Sequence, residues 1–353
     1  MQGAQPRHRP HRPARRASLT QAASVALTAS LAAVLTAGCA AMAPSGASSG
    51  ASSGGDGLAA ELAPGAHDPT LIERDGVLHV FTTGNGIQHL RSEDGRRWSR
   101  LAPALQQAPA WWAEAVPAHR GLDVWAPKVF ALQGRYWLLY SISTFGKNRS
   151  AIGLASGASL DGPWRDEGLV VKSVEGDDFN AIDPDLFIDD RAAGGDGRLW
   201  LSYGSFWGGL RVVEFDPATM RPTGPTRFIA RGRGKDGVGR GDAIEAPTIV
   251  RHGEWIYLFA SHDFCCRGTA STYNIRVGRA RSATGPFLDR DGRAMLDGGG
   301  TVVEQGAGRW IGPGHQDVAG RWIVRHAYDA EDGGKPKLRI DALRWTEDGW
   351  PQL

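Results

Sequence analysis

The chain has 353 residues, with 40 Lys and Arg against 38 Asp and Glu, which gives a formal net charge of +2. Five arginines before residue 17 supply much of the basic excess, so the rest of the chain is near neutral. This balance argues against a nucleic acid partner. The length is sufficient for one large domain with its own core.

Residues 1–42 have the pattern of an export signal. An Arg- and His-rich start precedes an uncharged stretch from Ala17 to Met42 that is rich in Ala and Leu. This stretch is too weakly apolar for a permanent membrane span. Its segment Leu35-Thr36-Ala37-Gly38-Cys39 is similar to a bacterial lipoprotein cleavage box, in which Cys39 would carry the lipid. We predict an exported protein, extracellular or periplasmic, with Cys39 as the candidate membrane tether.

Residues 43–60 are rich in Gly, Ser and Ala, a composition typical of a flexible tether. The segment carries no apolar periodicity that would predict a strand or a helix. We therefore place the folded domain at residues 61–353.

The folded domain contains five repeats. Each repeat opens at a Pro that begins an apolar run, and the five openings are Asp68-Pro69, Ala126-Pro127, Asp183-Pro184, Ala246-Pro247 and Gly312-Pro313. A Gly turn then leads into a second apolar strand, at positions 76, 134, 197, 253 and 320. The successive differences are 58, 63, 56 and 67 residues. A period of this size with several short strands predicts an all-β fold, a five-bladed β-propeller.

Three of the openings carry an acid one or two residues before the Pro: Asp68, Asp183 and Glu245. If each begins the innermost strand of its blade, the three carboxylates meet at one end of the central channel. Two facing carboxyl groups are what glycosidic bond cleavage needs, and a third can raise the pKa of the proton donor. The alternatives are that these acids are ordinary turn formers or metal ligands.

Aromatic residues near the openings favour a sugar ligand. The chain has 13 Trp, and Trp125 and Trp207 lie in loop-like segments beside the predicted channel. Flat aromatic rings stack on the apolar faces of sugars, although most Trp residues in such a fold pack between blades.

Six motifs together resemble glycoside hydrolase family 43, in its endo-α-1,5-L-arabinanase branch. They are His67-Asp68-Pro69, Ser143-Thr144-Phe145-Gly146, Asn180-Ala181-Ile182-Asp183-Pro184, Gly204-Ser205-Phe206-Trp207-Gly208-Gly209, Ile244-Glu245-Ala246-Pro247 and Phe264-Cys265-Cys266-Arg267-Gly268. The resemblance implies a five-bladed propeller that cleaves α-1,5-linked L-arabinan internally with inversion. It makes Asp68 the general base, Glu245 the general acid, and Asp183 the residue that tunes the acid's pKa.

The same resemblance implies the ligands. The substrate is arabinan or an arabino-oligosaccharide from the side chains of plant pectin, and a calcium ion lies in the channel, held by His315 and waters. The expected substrate-binding residues are Trp125, Phe145, Gly146, Asn180, Ala181, Ile182, Ser205, Phe206 and Trp207.

Two positions depart from the family pattern. Lys128 stands where the family commonly has Asp, and Gln316-Asp317 follows His315 where Asn-Ser is more usual. The first departure leaves the catalytic acids in place, but it predicts different local salt bridges. At the second, only the resemblance favours a metal ligand over a structural histidine, because calcium prefers oxygen.

Other functions remain open from the sequence. Within the family, the alternatives are an exo-acting α-L-arabinofuranosidase and a β-xylosidase. Retaining fructan-acting propellers share the acid count but open with different motifs. A sugar-binding propeller without activity is the non-enzyme alternative, although all three acids are present. Finally, the adjacent Cys265-Cys266 form either a vicinal disulfide or two buried thiols.

Overall fold

The computed structural model describes residues 63–232 and 243–353, which are built almost entirely of antiparallel strands. The predicted export signal (1–42), with Cys39, and the predicted tether (43–60) lie outside the described residues. Within the described part, no helix is long and apolar enough to cross a membrane.

The strands are numbered in chain order. They are β1 (Thr70–Arg74), β2 (Val77–Thr82), β3 (Gly84–Asn85), β4 (Gln88–Ser92), β5 (Ser99–Leu101), β6 (Asp123–Leu132), β7 (Arg135–Ile142), β8 (Ser150–Gly157), β9 (Arg165–Ser173), β10 (Asp185–Ile188), β11 (Leu199–Tyr203), β12 (Leu210–Asp216), β13 (Arg221–Ala230), β14 (Ile244–His252), β15 (Trp255–His262), β16 (Asn274–Ala280), β17 (Thr301–Gln305), β18 (Trp310–Ala319), β19 (Trp322–Asp329), β20 (Lys335–Ala342), β21 (Arg344–Trp345) and β22 (Pro351–Gln352). The α-helix is α1 (Trp111–Ala115), and short 3-10 turns occupy Arg191–Ala193, Gly268–Ala270, Met295–Asp297 and Ala330–Asp332.

These strands form five blades, which confirms the predicted five-bladed β-propeller. The first blade is β1-β2-β4-β5, and the second is β6 to β9 with the short β3 added to β6. The third is β10 to β13, the fourth β14 to β17, and the fifth β18 to β20. Strands β21 and β22 form a separate small hairpin.

The N-terminal end of the described chain extends the fifth blade. Gly65 pairs antiparallel with Lys337 of β20, and two backbone hydrogen bonds flank this bridge. Ala66 N–H donates to Pro336 O at 3.3 Å, and Leu338 N–H donates to Pro64 O at 3.0 Å. The start of the domain therefore adds a fourth strand segment to its last blade, which joins the two ends of the ring.

The core lies between neighbouring blades. One apolar cluster contains Phe81 of the first blade together with Val129 and Leu138 of the second. Close packing also explains Gly153 in the middle of β8, because a Cβ there would lie 2.4 Å from the ring of Tyr140. Each blade is thus stabilised mainly by burial against the next one.

In each blade, one residue within or just before the inner strand has a left-handed backbone conformation. We call these five residues the left-handed ring: Asp68 (φ 51°), Ala126 (φ 45°), Asp183 (φ 57°), Ala246 (φ 52°) and His315 (φ 49°). Non-glycine residues pay about 1–3 kcal/mol each for such conformations, so the surroundings must hold them.

The preceding blade holds each of these residues by its N–H group. The acceptors are His326 Nδ1 for Asp68 (3.2 Å), Thr83 Oγ1 for Ala126 (2.8 Å), Ser141 Oγ for Asp183 (3.0 Å), Asp183 Oδ2 for Ala246 (3.2 Å) and Ser261 Oγ for His315 (2.8 Å). The ring therefore couples every blade to its neighbour at the mouth of the channel.

The ring corrects the alignment of the fifth repeat. The sequence pattern placed its opening at Gly312-Pro313, but the equivalent residues are His315 and Gln316. Gln316 replaces the Pro of the other blades, and its side chain bonds the fourth blade instead. Its Nε2 donates to Ala246 O at 2.8 Å, and its Oε1 accepts from Ser261 Oγ at 2.9 Å.

A second ring lies two residues further along each inner strand, and it consists of Thr70, Lys128, Asp185, Thr248 and Asp317. Lys128 Nζ lies 2.6 Å from Asp185 Oδ1 and 2.6 Å from Asp317 Oδ1, all three side chains being largely buried. Thr70 Oγ1 donates to Asp317 Oδ2 at 2.7 Å. Lys128, the departure from the family pattern, therefore joins the inner strands of the second, third and fifth blades.

We expect Lys128→Met to destabilise the propeller by about 3–5 kcal/mol, because it leaves Asp185 and Asp317 buried without their cation. Denaturant unfolding measures this loss, with Lys172→Met at an exposed lysine as the control. Equal unfolding midpoints for the two variants would contradict a structural role for the second ring.

Candidate active site

The structure brings the three predicted carboxylates together at one end of the channel. Asp68 and Asp183 occupy the left-handed ring, and Glu245 comes one residue before Ala246 of that ring. All three are nearly buried, with exposed fractions of 9% for Asp68, 6% for Asp183 and 8% for Glu245. Each of them interacts electrostatically with His315. They form a confined acidic cluster with one basic group.

Asp68 has a partner on each carboxylate oxygen. Its Oδ1 lies 2.8 Å from His67 Nδ1 and 3.1 Å from His315 Nδ1, and its Oδ2 accepts from Thr83 Oγ1 at 2.6 Å. Burial alone would raise the pKa of Asp68, but the charges and hydrogen bonds of His315 and His67 outweigh it. They hold this pKa well below its usual value. Asp68 is therefore ionised across the ordinary pH range.

A third histidine, His326, is neutral and contacts Asp68 through a backbone hydrogen bond. Burial lowers the pKa of His326 well below its usual value. Its Nδ1 accepts the backbone N–H of Asp68, so the 3.7 Å separation from Asp68 Oδ1 is not an ion pair. The His326 ring stacks on His67, with ring centroids 3.9 Å apart. His326 thus fixes both the left-handed backbone of Asp68 and the position of His67.

Asp183 has the opposite electrostatic environment from Asp68. Burial raises its pKa, and the negative charges of Glu245 and Asp68 raise it further against the lowering effect of His315, to about 8. Asp183 Oδ2 accepts the N–H of Ala246, the residue after Glu245. Protonated Asp183 therefore lies near Glu245, and its hydrogen bond to the next residue, Ala246, holds the two side chains in the same part of the site.

Glu245 is held by the third blade. Its Oε2 accepts from Ser205 Oγ at 2.7 Å, and residues 205 and 245 also form an isolated β-bridge. Phe206 N–H donates to Ile244 O at 2.9 Å. The segment that carries Ser205 and Phe206, two predicted substrate-binding residues, is therefore fixed directly against Glu245.

His315 is the basic group at the centre of the cluster. Burial lowers its pKa, but Asp68, Asp183 and Glu245 together raise it to about 9. Protonated His315 therefore balances part of the negative charge, which explains how three nearly buried acids can share one site.

The remaining predicted substrate-binding residues differ in exposure. Phe145 is 79% exposed, and Gly146 after it has a φ of 73°. Trp207, with a φ of 41°, and Trp125 are partly exposed, and Trp125 Nε1 donates to Asp123 Oδ2 at 2.9 Å. Their rings and the exposed Phe145 are the side chains of this set with surface available to a ligand.

The segment before Asp183 is more buried than the aromatic residues. Asn180 is buried, and its Oδ1 accepts from Ser150 Oγ at 2.6 Å. Ala181 has no exposed surface, and its N–H donates to Ser173 Oγ at 2.9 Å, while Ile182 is buried beside Asp183. In this structure the segment holds Asp183 in place.

A disulfide between Cys265 and Cys266 lies at the edge of the cluster. Of the two alternatives from the sequence, the vicinal disulfide is therefore the one observed, and Cys266 is exposed instead of buried. Cys266 N–H donates to Tyr328 Oη at 2.6 Å, and Tyr328 Oη lies 3.1 Å from His67 Nε2. The disulfide segment is thus connected through Tyr328 to a partner of Asp68.

Thr83, His326 and the role of His67 were not predicted from the sequence. A signal for the first two exists in the repeats, because a polar residue recurs in or just after the second strand of four blades. Thr83 follows β2, Ser141 and Ser261 are the penultimate residues of β7 and β15, and His326 lies three residues before the end of β19. All four bind a backbone N–H of the left-handed ring.

Comparison with known proteins agrees with this geometry. The family model for glycosyl hydrolases family 43 matches residues 62–351. The chain is 44% identical over 291 residues to the extracellular endo-α-(1→5)-L-arabinanase 1 of Bacillus subtilis (strain 168), covering 81% of this chain and 86% of that protein. It is 40% identical over 317 residues to an extracellular exo-α-(1→5)-L-arabinofuranosidase of Cellvibrio japonicus (strain Ueda107), covering 84% and 90%.

A solved structure is also similar. The GH43 endo-arabinanase from Bacillus licheniformis superposes with a TM-score of 0.77 at 46% identity, covering 82% of this chain and 97% of that chain. The matched residues include all five blades and the three carboxylates. The resemblance seen in the six sequence motifs is confirmed, and the chain belongs to glycoside hydrolase family 43.

Proposed function

We propose that this protein hydrolyses α-1,5-linked L-arabinan internally, as an inverting arabinan endo-1,5-α-L-arabinosidase. One observation supports the chemistry above all others. Asp68 is held ionised while Asp183, in the same cluster, is held protonated beside Glu245. Acid–base cleavage of a glycosidic bond needs one ionised and one protonated carboxyl group, and Asp183 with its neighbour Glu245 retains a proton where Asp68 does not.

In the proposed mechanism Asp68 is the general base. Its ionised carboxylate takes a proton from the attacking water, while His67 and Thr83 hold the oxygens in place. Glu245 is the general acid and gives its proton to the leaving glycosidic oxygen. Asp183 supports Glu245 by its proximity, because two adjacent carboxyl groups cannot readily both ionise.

Endo action is favoured over exo action by the relatives. The relative named as an endo-arabinanase is more similar to this chain than the one named as an exo-arabinofuranosidase. The proposed substrate is therefore the interior of a linear arabinan, with the partly exposed Trp125 and Trp207 and the exposed Phe145 as stacking residues along the chain of sugars. A β-xylosidase activity has no comparable support.

Product analysis tests the proposed function. We expect linear arabinan to yield a series of arabino-oligosaccharides early in the reaction, with little activity on an aryl-arabinofuranoside or on xylan. Release of monomer or of one fixed short product from the start would instead favour an exo-acting enzyme.

We expect Asp68→Asn and Glu245→Gln each to lower kcat on arabinan by roughly 100- to 10,000-fold while the unfolding midpoint stays within the range of the wild type. In the wild type we expect the rate to fall as the pH rises past the Asp183 pKa of about 8. Asp183→Asn should move this basic limb of the pH–rate profile. Steady-state kinetics from pH 4 to 10 measure both effects. Near-normal rates for Asp68→Asn would refute the assignment of the base.

A calcium ion held by His315 and waters is a further part of the proposal. His315 Nδ1 lies 3.1 Å from Asp68 Oδ1, so Nε2 is the ring atom that could contact an ion, once it has released its proton. Waters would supply the remaining ligands. When bound, the ion would supply positive charge near Asp68. One imidazole is otherwise a weak ligand set for this hard cation.

We expect metal removal by a chelator, and separately His315→Ala, to lower kcat more than they raise KM, with the largest loss at acidic pH. The physical reason is that loss of positive charge beside Asp68 raises its pKa, so the base becomes protonated as pH falls. Unchanged kinetics after metal removal verified by elemental analysis would leave His315 without a metal.

The protein is exported, and its relatives named above carry the word extracellular in their names. We further propose that Cys39 is lipidated and tethers the enzyme to a membrane through residues 43–60. In the producing cell, Cys39→Ala should then move the enzyme from the membrane fraction to the soluble fraction with unchanged specific activity. An identical distribution of both forms would contradict the tether.

A further inference from the structure

A second polar cluster lies away from the channel, between the first and second blades. His79 on β2 and His89 on β4 lie on one face of the first blade, and Asp161 reaches them from the turn between β8 and β9 of the second. One ligand atom from each of the three residues lies within 4.8 Å of the others. None of the three contributes to the catalytic cluster.

The two imidazoles face each other through their nitrogens. His79 Nδ1 and His89 Nε2 are 2.9 Å apart, so at most one proton lies between them. If the donor ring takes its other tautomer, with the proton on its second nitrogen, both lone pairs point into the same space. Two nitrogens bound tetrahedrally at 2.0–2.1 Å from a zinc ion are about 3.3 Å apart, so only a small opening of the pair is needed.

The surroundings hold the histidines in place and leave an entry path. Both histidines are buried, whereas Asp161 is exposed, so an ion can reach the cluster from solvent past the carboxylate. The Phe81 ring stacks on His89 with centroids 4.2 Å apart and an interplanar angle of 12°. This contact fixes the plane of the His89 ring, as ligand orientation requires.

The charges near the cluster are compatible with a divalent cation. Arg91 pairs across the strands with His79 and is the cation on the same face. Its guanidinium is engaged by Glu93 Oε1 at 3.0 Å, which offsets its charge. Asp161 contributes one negative charge to the cluster itself.

We propose that His79, His89 and Asp161 form a zinc-binding site that joins the first two blades. Two imidazole nitrogens and one carboxylate oxygen are a ligand set that suits Zn²⁺, with water in the fourth position. The ion is structural, because the site lies between blades and away from the three catalytic carboxylates. This inference does not rest on the proposed arabinanase activity.

Calorimetric titration of the chelator-treated full chain with Zn²⁺ tests the proposal. The wild type should bind one equivalent at this site, and zinc should raise the thermal unfolding midpoint by a few degrees. Asp161→Asn and His79→Gln should each weaken this binding by at least about tenfold and remove the rise in the midpoint. Asp161 is exposed, so its variant keeps the fold and provides the test if His79→Gln fails to fold.

Two controls separate this site from others. His252→Gln, at an exposed histidine outside the cluster, should leave zinc binding unchanged. His67, Asp68 and His326 also place ligand atoms within 4.8 Å of one another, so the titration is repeated with His67→Gln. The proposed equivalent must persist in that variant. Absence of zinc binding by the wild type, or equal binding by Asp161→Asn, would overturn the proposal and leave the two histidines as a hydrogen-bonded pair.

Discussion

The left-handed ring at the mouth of the channel is the constraint on which the active site depends. At each of its five positions, a residue with a side chain holds a conformation that glycine usually supplies. The N–H group of each is captured by the neighbouring blade, so the backbone strain of one blade is balanced by a contact with the next. Because two of the ring residues are Asp68 and Asp183, the assembly of the propeller also positions the catalytic carboxylates.

The second ring, two residues further along each inner strand, also joins the blades, but through buried ion pairs. Lys128 joins Asp185 and Asp317. Ile249 N–H donates to Asp185 Oδ2 at 2.9 Å, and Leu71 N–H donates to Asp317 Oδ2 at 3.1 Å. Every oxygen of the buried pair of acids therefore has a partner, which is the condition under which buried ions are tolerated. A lysine at this position changes the salt bridges of the channel without entering the catalytic cluster.

Asp68 and Asp183 occupy equivalent positions in the left-handed ring, but their neighbours give them opposite protonation states. Burial raises the pKa of both residues. At Asp68, His67 and His315 lie within 3.1 Å and outweigh this effect, so Asp68 is ionised. At Asp183, His315 also lowers the pKa, but burial and the charges of Glu245 and Asp68 outweigh it, so Asp183 is protonated. The propeller repeat supplies the positions, and the histidines of the first and fifth blades supply the asymmetry.

The sequence was sufficient for the fold and for the acids, since the Pro openings and Gly turns recur at a visible period. It was insufficient for the fifth repeat, because Gln316 stands where the other blades have Pro. The side chain of Gln316 donates to Ala246 O. The sequence pattern therefore matched the nearby Gly312-Pro313 to the openings of the other repeats. His326 and Thr83 also escaped prediction, because their contacts cross between blades that are distant in sequence. The repeats show that polar residues recur on the second strands, but only the closed ring shows which N–H group each one binds.

The anomeric configuration of the first product shows most directly whether Asp68 acts as a base on water. Early proton NMR of linear arabinan hydrolysis should show the β-anomer of the newly formed reducing end before mutarotation, because water attacks the α-linked sugar from the opposite face. Initial appearance of the α-anomer would mean retention, and it would contradict the role assigned to Asp68.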